Sequence, residues 1–160
     1  MARTLGIDPS LDRTGYAVID DATRRVIEAG VLRTTPRTTL PARLAELADA
    51  LDELIDEHTV HRVAVEDLFT HYKHPRTAIL MGHARGVILL AAARRGIAIE
   101  EFSATRVKKA LTGNGHASKL QVQRAITATL GLSRIPEPPD VADAMAVALC
   151  AMNGEQAARR

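Results

Sequence analysis

The chain has 160 residues, 46% of them apolar and 25% charged, and a formal net charge of +2. That length suits one domain able to bury about 69% of the surface its unfolded chain would expose, which excludes a disordered chain or a miniprotein held by staples. The single cysteine, Cys150, excludes an intrachain disulfide and a cysteine-built zinc centre. The longest apolar run, residues 86–93, is far below the roughly 20 residues of a bilayer span. Residues 1–8 carry no secretory pattern. The expectation is a soluble protein of a reducing compartment, the cytoplasm, with no membrane partner.

Residues 3–8 and 14–20 read as short strands separated by the turn-rich Asp8-Pro9-Ser10-Leu11-Asp12-Arg13. Residues 25–34 make a third strand, completing an antiparallel meander. Leu40, Leu44, Leu47, Leu51, Leu54 and Ile55 then recur at helical spacing, with acids on the opposite face. Alternation returns over 61–66, with Val63 and Val65 on one face and Ala64 and Glu66 on the other. A helix over 76–95 is apolar nearly all round from Ala84 to Ala93, so it belongs inside the protein or against a partner subunit, and Gly96 closes it. Residues 97–102 form a fifth strand. Ser103 caps a short helix ending near Gly113, and Ser118 with Gln121 forms a capping box for a helix to about Leu130. After a loop punctuated by Pro136, Pro138 and Pro139, Asp140 caps or opens a last helix over 140–152. A meander followed by helical crossovers predicts an α/β fold with a five-stranded mixed sheet flanked by helices on both faces. Residues 1–153 are read as one domain and 154–160 as a frayed tail.

The modest net charge hides a segregation. Acids crowd residues 43–57, whereas Lys73, Arg76, Arg85, Arg94, Arg95, Arg106, Lys108 and Lys109 dominate 73–109. This offers phosphate a basic face, or else describes two solvated helix faces of opposite sign. Only Tyr16, Phe69, Tyr72 and Phe102 are aromatic, too few for a repeated base-stacking platform.

Four acids stand out by position. Asp8 ends the first strand and Glu66 the fourth; Asp140 and Asp143 share one face at the start of an otherwise apolar helix. That helical pair alone also fits a cap and a favourable helix-dipole contact. Adjacent strands lie about 4.8 Å apart, so strand-end carboxylates joined by a pair from a packed helix can converge within a few ångströms. Such a group would repel itself and need hard divalent cations, Mg²⁺ or Mn²⁺. Two ions about 4 Å apart can activate water and stabilise the leaving oxygen of a phosphodiester displacement.

The ordered blocks Leu5-Gly6-Ile7-Asp8-Pro9 with Thr14-Gly15-Tyr16, Val65-Glu66-Asp67-Leu68-Phe69, Gly82-His83-Ala84-Arg85-Gly86, Val107-Lys108, Lys119 with Gln121-Val122-Gln123, and Asp140-Val141-Ala142-Asp143-Ala144 span residues 3–150. In these blocks the chain resembles the RuvC-type Holliday-junction resolvases, crossover junction endodeoxyribonucleases of RNase H-like fold. The resemblance implies that Asp8, Glu66, Asp140 and Asp143 are metal-binding catalytic acids using two Mg²⁺ ions per site, with Mn²⁺ as substitute. It implies that Lys108 and Lys119 bind or polarise phosphate and that Phe69 stacks on a base near the crossover. Arg76 and Arg85 join this DNA-binding set. The resemblance further implies a homodimer that nicks a four-way DNA junction in pairs, leaves 5′-phosphate and 3′-hydroxyl ends, serves recombination and repair, and works with a branch-migration complex.

Each of these residues also has a plainer reading: the lysines as solvated helix residues, Phe69 as core, and Gly113-Asn114-Gly115-His116 as a connector. His71 and His74 are weak metal candidates, and Cys150 reads as core packing. The chain departs from the family pattern in segment 70–76, which is one residue longer, in Ser10, and in the acids Asp12 and Asp67 beside the first two carboxylates. A catalytically inactive junction-binding protein of the same fold, and a small RNase H-like nuclease acting on RNA, are the alternative functions.

Overall fold

The computed structural model describes residues 1–68 and 73–158, with side chains to Gly154. Strands β1 (Arg3–Asp8), β2 (Arg13–Asp20) and β3 (Val26–Arg33) form the meander. They are followed by α1 (Leu40–His58), β4 (Arg62–Glu66), α2 (Pro75–Ala93), β5 (Ala98–Phe102), α3 (Ala104–Thr112), α4 (Lys119–Leu130) and α5 (Pro139–Ala158). The sheet order is β3-β2-β1-β4-β5. Pairing is antiparallel within the meander and parallel for β1–β4 and β4–β5. This is the mixed, meander-first sheet that the chain order predicts.

Strand alternation divides the core into two layers. Leu5, Ile7, Val18, Val63 and Val65 face α1 and α2, where Leu47, Leu51, Ile55 and Ile88 meet them. Ala17, Ile19 and Ala64 face the opposite way, onto α5. Small residues on that face let α5 lie close to the strands. Two glycines carry the approach furthest: a Cβ on Gly6 would stand 2.0 Å from the Ala144 carbonyl oxygen, and one on Gly15 would stand 2.1 Å from that of Asp140. Neither contact is possible for any residue with a side chain, because both obstacles are backbone. Gly15 pairs with Asp8 across the β1–β2 ladder, so the seat of Asp140 lies beside the first carboxylate.

Local signals explain most boundaries. Thr39, Ser103 and Ser118 cap α1, α3 and α4 through their hydroxyls, and Ser118 with Gln121 closes the full capping box. The chain departs from expectation at two helix ends. Helix α2 stops at Ala93, and Gly96 takes a left-handed conformation in the following turn. Helix α5 continues past Met152 to Ala158 because Glu155, Gln156, Ala157 and Ala158 are good helix formers with no breaker among them.

One expectation about charge and one about burial change. The acidic and basic segments are not separate faces throughout: Arg95 sits 2.7 Å from both Asp52 and Asp56 of α1. Helix α2 is also less covered than its composition suggests. It is long and apolar enough to cross a membrane, yet only 22% of its most apolar window is buried. Ile79 is 61% and Leu90 49% exposed, while Ala84, Ile88, Ala91 and Ala92 pack into the domain.

Candidate active site

The parallel pairing of β1 with β4 runs Thr4–Arg62 to Ile7–Val65, which carries Asp8 and Glu66 side by side to the same end of these strands. Helix α5 begins against that end, its first turn seated on Gly15, and presents Asp140 and Asp143. Sequence-distant acids therefore share one environment. Burial, followed by the charges of Asp143, Asp140 and Glu66, pushes the Asp8 carboxyl up to about 8, and the Lys119 ammonium offsets part of this. Burial and the Asp143 charge raise Glu66, while Lys108 pulls it down. Asp143 is raised by burial, with Lys119 lowering it and Asp140 raising it again. Desolvation and like charge both disfavour ionised carboxyls, so this cluster is electrostatically strained in the absence of added positive charge.

Asp140 contributes a different observation. Its Oδ2 is buried without a hydrogen-bond partner; Arg13 Nη2 reaches only to 3.5 Å. A buried, unsatisfied carboxylate oxygen is costly and calls for a donor or a cation. With an all-oxygen donor set, the residues fit a hard divalent ion. Among the described residues, no three acidic, histidine or cysteine side chains already close into a metal cage. The carboxylates are gathered rather than clamped.

Two cavities flank Glu66. The larger, about 290 Å³, is lined by Glu66, Asp143, Lys108 and Lys119 over an apolar floor from Val107, Val122, Ile126 and Ala146. Lys108 comes from α3 and Lys119 opens α4, and both line this cavity together with Glu66 and Asp143. The smaller, about 90 Å³, is bounded by Asp8, Pro9, Glu66, Asp67, Leu68, Met81 and Arg85.

The remaining candidates divide. Arg76 is exposed on the first turn of α2. Phe69 and His71 lie outside the described residues. Arg85 does not present its charge to phosphate: it is only 9% exposed, and its guanidinium is engaged with the Glu66 carbonyl, Glu101 and Asp67. Asp12 does not join the acid cluster; it points to solvent and pairs with Arg43. His74 is an exposed residue at the start of α2, and Cys150 is buried in the core. Sequence reasoning missed Arg13 beside Asp140 and Gln123 in the larger cavity. It also assigned no role to Gly6 and Gly15, which stood only as members of the resemblance blocks and as a glycine in each of two buried strands.

Comparison with known proteins agrees with this architecture. The family model described as crossover junction endodeoxyribonuclease RuvC matches residues 4–151. A crossover junction endodeoxyribonuclease RuvC from Rhodopirellula baltica is 55% identical over 148 residues, covering 91% of this chain and 83% of that protein. The solved Thermus thermophilus RuvC superposes with a TM-score of 0.88 at 30% identity, over 97% of this chain and 96% of the other. The same protein, solved in complex with a Holliday junction substrate, gives a TM-score of 0.87 at 28% identity, over 98% and 96% of the two chains. The fold is RNase H-like.

Proposed function

The chain belongs to the RuvC family of crossover junction endodeoxyribonucleases, nucleases of four-way (Holliday) DNA junctions, and we propose that Asp8, Glu66, Asp140 and Asp143 are its metal-binding catalytic acids. Family membership carries divalent-metal dependence. The observation that supports the assignment most strongly is the convergence of strand ends Asp8 and Glu66 with the first turn of α5, where Asp140 Oδ2 is buried without a hydrogen-bond partner and the neighbouring acids raise the Asp8 carboxyl. Such a self-repelling group is relieved by a proton or by a bound cation, and an all-oxygen donor set suits a hard divalent ion. A silent junction-binding protein would have no use for it.

The ions are Mg²⁺, with Mn²⁺ as substitute, two per site. When bound, they supply Lewis-acid stabilisation of the phosphodiester and a more acidic water. The chain's own residues do the rest. Asp8 and Glu66 come from rigid strand ends and Asp140 and Asp143 from a helix seated on backbone, so the four carboxylates approach from fixed directions. Asp8 gives up its proton as positive charge arrives. Lys108 and Lys119, bordering the same acids, neutralise charge developing on the phosphoryl oxygens. Cleavage leaves 5′-phosphate and 3′-hydroxyl ends.

The uncovered apolar face of α2, with Ile79 and Leu90, supports a homodimer whose two-fold symmetry matches that of the junction and yields paired nicks. The work is recombination and repair in the cytoplasm, alongside a branch-migration complex. Phe69 stacks on a base near the crossover, and Arg76 contacts DNA from the exposed start of α2.

The test is strand-resolved cleavage of synthetic four-way junctions, with plain duplex as control, in Mg²⁺, in Mn²⁺ and in chelator. Symmetric nicks in either metal, none in chelator, and an Asp8→Asn variant that binds but does not cut are expected. An Asp8→Asn protein that cuts as well as the parent overturns the assignment.

A further inference from the structure

We infer that Arg85 is a positioning residue for Glu66, clamping the peptide unit that follows this carboxylate. The inference deepens the functional reading above and rests on it.

The relevant peptide unit joins Glu66 to Asp67, and both of its polar groups are held by different elements. Its carbonyl oxygen accepts a hydrogen bond from Arg85 Nη1 of α2. Its N–H donates to the Phe102 carbonyl at the end of β5, 2.8 Å away. A peptide unit is planar, so holding both sides fixes the backbone rotation just after Glu66. On the other side, the β4 ladder up to the Glu66–Phe102 pair fixes the rotation before it. The direction in which the Glu66 side chain leaves the backbone is then fully determined. This matters at a strand end, where the ladder stops and the chain would otherwise fray toward the loop.

Arg85 is built for such a task rather than for solvent. It is 9% exposed, and its Nη2 stands 2.9 Å from Glu101 and 3.6 Å from Asp67. Those two carboxylates balance the buried charge and aim the guanidinium fork at the carbonyl. Arg85 lines the small cavity together with Asp8 and Glu66, which places the clamp beside the acids. Lysine, with one point charge, cannot serve the carbonyl and both carboxylates together.

The experiment compares the parent protein with Arg85→Gln, Arg85→Lys and Glu101→Gln. It reads kcat and KM on a synthetic junction, Mn²⁺ affinity from the free-ion paramagnetic resonance signal, and the melting temperature. Arg85→Gln is expected to lower kcat about 30-fold, as a misplaced reacting group does, with KM within about twofold. Its Mn²⁺ affinity should fall about tenfold, as for lost second-layer support of a metal ligand. Arg85→Lys should recover part of both losses, and Glu101→Gln, which leaves the carbonyl bond in place, should lose only about threefold in kcat. If Arg85→Gln does not fold, Arg85→Lys carries the same test: an intermediate kcat with parental KM supports the clamp, and parental kcat overturns it. A rise in KM at parental kcat also overturns it, because Arg85 would then be a DNA contact. Should the parent itself fail to cut junctions, the functional reading falls, and the Mn²⁺ comparison still decides the role of Arg85.

Discussion

The two ends of the central parallel strands handle charge in opposite ways. At the start of β1 and β4, the buried Arg62 guanidinium donates to Thr4 Oγ1 at 2.9 and 3.1 Å. It also meets Asp21 at 3.0 Å and Glu100 at 3.3 Å. Thr4 in turn donates to Asp21 at 2.7 Å. At the other end, where β1 and β4 close at Asp8 and Glu66, carboxylates face carboxylates and Asp140 Oδ2 has no hydrogen-bond partner. The first end ties the sheet together through this network, although Asp20 Oδ2, on the residue opposite Arg3, is also buried without a hydrogen-bond partner. The second gathers like charge that Lys108 and Lys119 offset in part and that protonation of Asp8 or added positive charge relieves further, at the strand ends where open α/β sheets place their chemistry.

The sharpest way to break this contrast is Asp143→Asn. Junction cleavage should fall at least about 10³-fold, equivalent to roughly 4 kcal/mol of lost transition-state stabilisation, while junction affinity in chelator stays parental. A modest loss would remove Asp143 from the chemistry. At the opposite end, Arg62→Met leaves Asp21 and Glu100 without their shared cation. It should cost about 3 kcal/mol and lower the Tm by roughly 9 °C, with cleavage at a permissive temperature within about threefold of the parent. Equal loss of activity and stability would mean that the two ends are not separable.

A smaller effect has the opposite sign. The native Asp8 carboxyl holds its proton up to about pH 8, whereas the unfolded chain releases it near its ordinary value of 3.8. Between those pH values the native state binds more protons, so this group makes metal-free stability fall as pH rises. In chelator at pH 8, Asp8→Asn should therefore raise the Tm by about 5 °C and flatten its dependence on pH, allowing for solvent screening. Melting curves from pH 5 to 8 check this; a variant that melts lower than the parent at pH 8 would show that the carboxylate is already compensated. The smallest effect belongs to Asp12→Asn. Its exposed pair with Arg43 is worth under about 1 kcal/mol, and junction cleavage should be unchanged.

The same contrast explains what could be read before any coordinates. Alternation and helical periodicity report which side of an element is dry, so the strands, the apolar side of α1 and the caps at Ser103 and Ser118 were legible. Asp8 and Glu66 were legible too, since an acid closing an apolar strand needs a reason. What brings Asp140 and Asp143 to them is not local. It depends on Gly6 and Gly15 having no Cβ where the α5 backbone passes, and a glycine in a strand does not name its neighbour. Arg85 and Arg95 looked like basic surface because a helical arginine ordinarily faces water. Their carboxylate partners lie on other elements, invisible to any pattern along the chain.

The central claim is that Asp8, Glu66, Asp140 and Asp143 are gathered to hold divalent cations. Anomalous diffraction from crystals grown in Mn²⁺ tests it most directly. Peaks bounded by these four carboxylates, with Asp140 Oδ2 among the ligands, are the expected result. The same side chains turned apart, with no peak between them at saturating Mn²⁺, would contradict it.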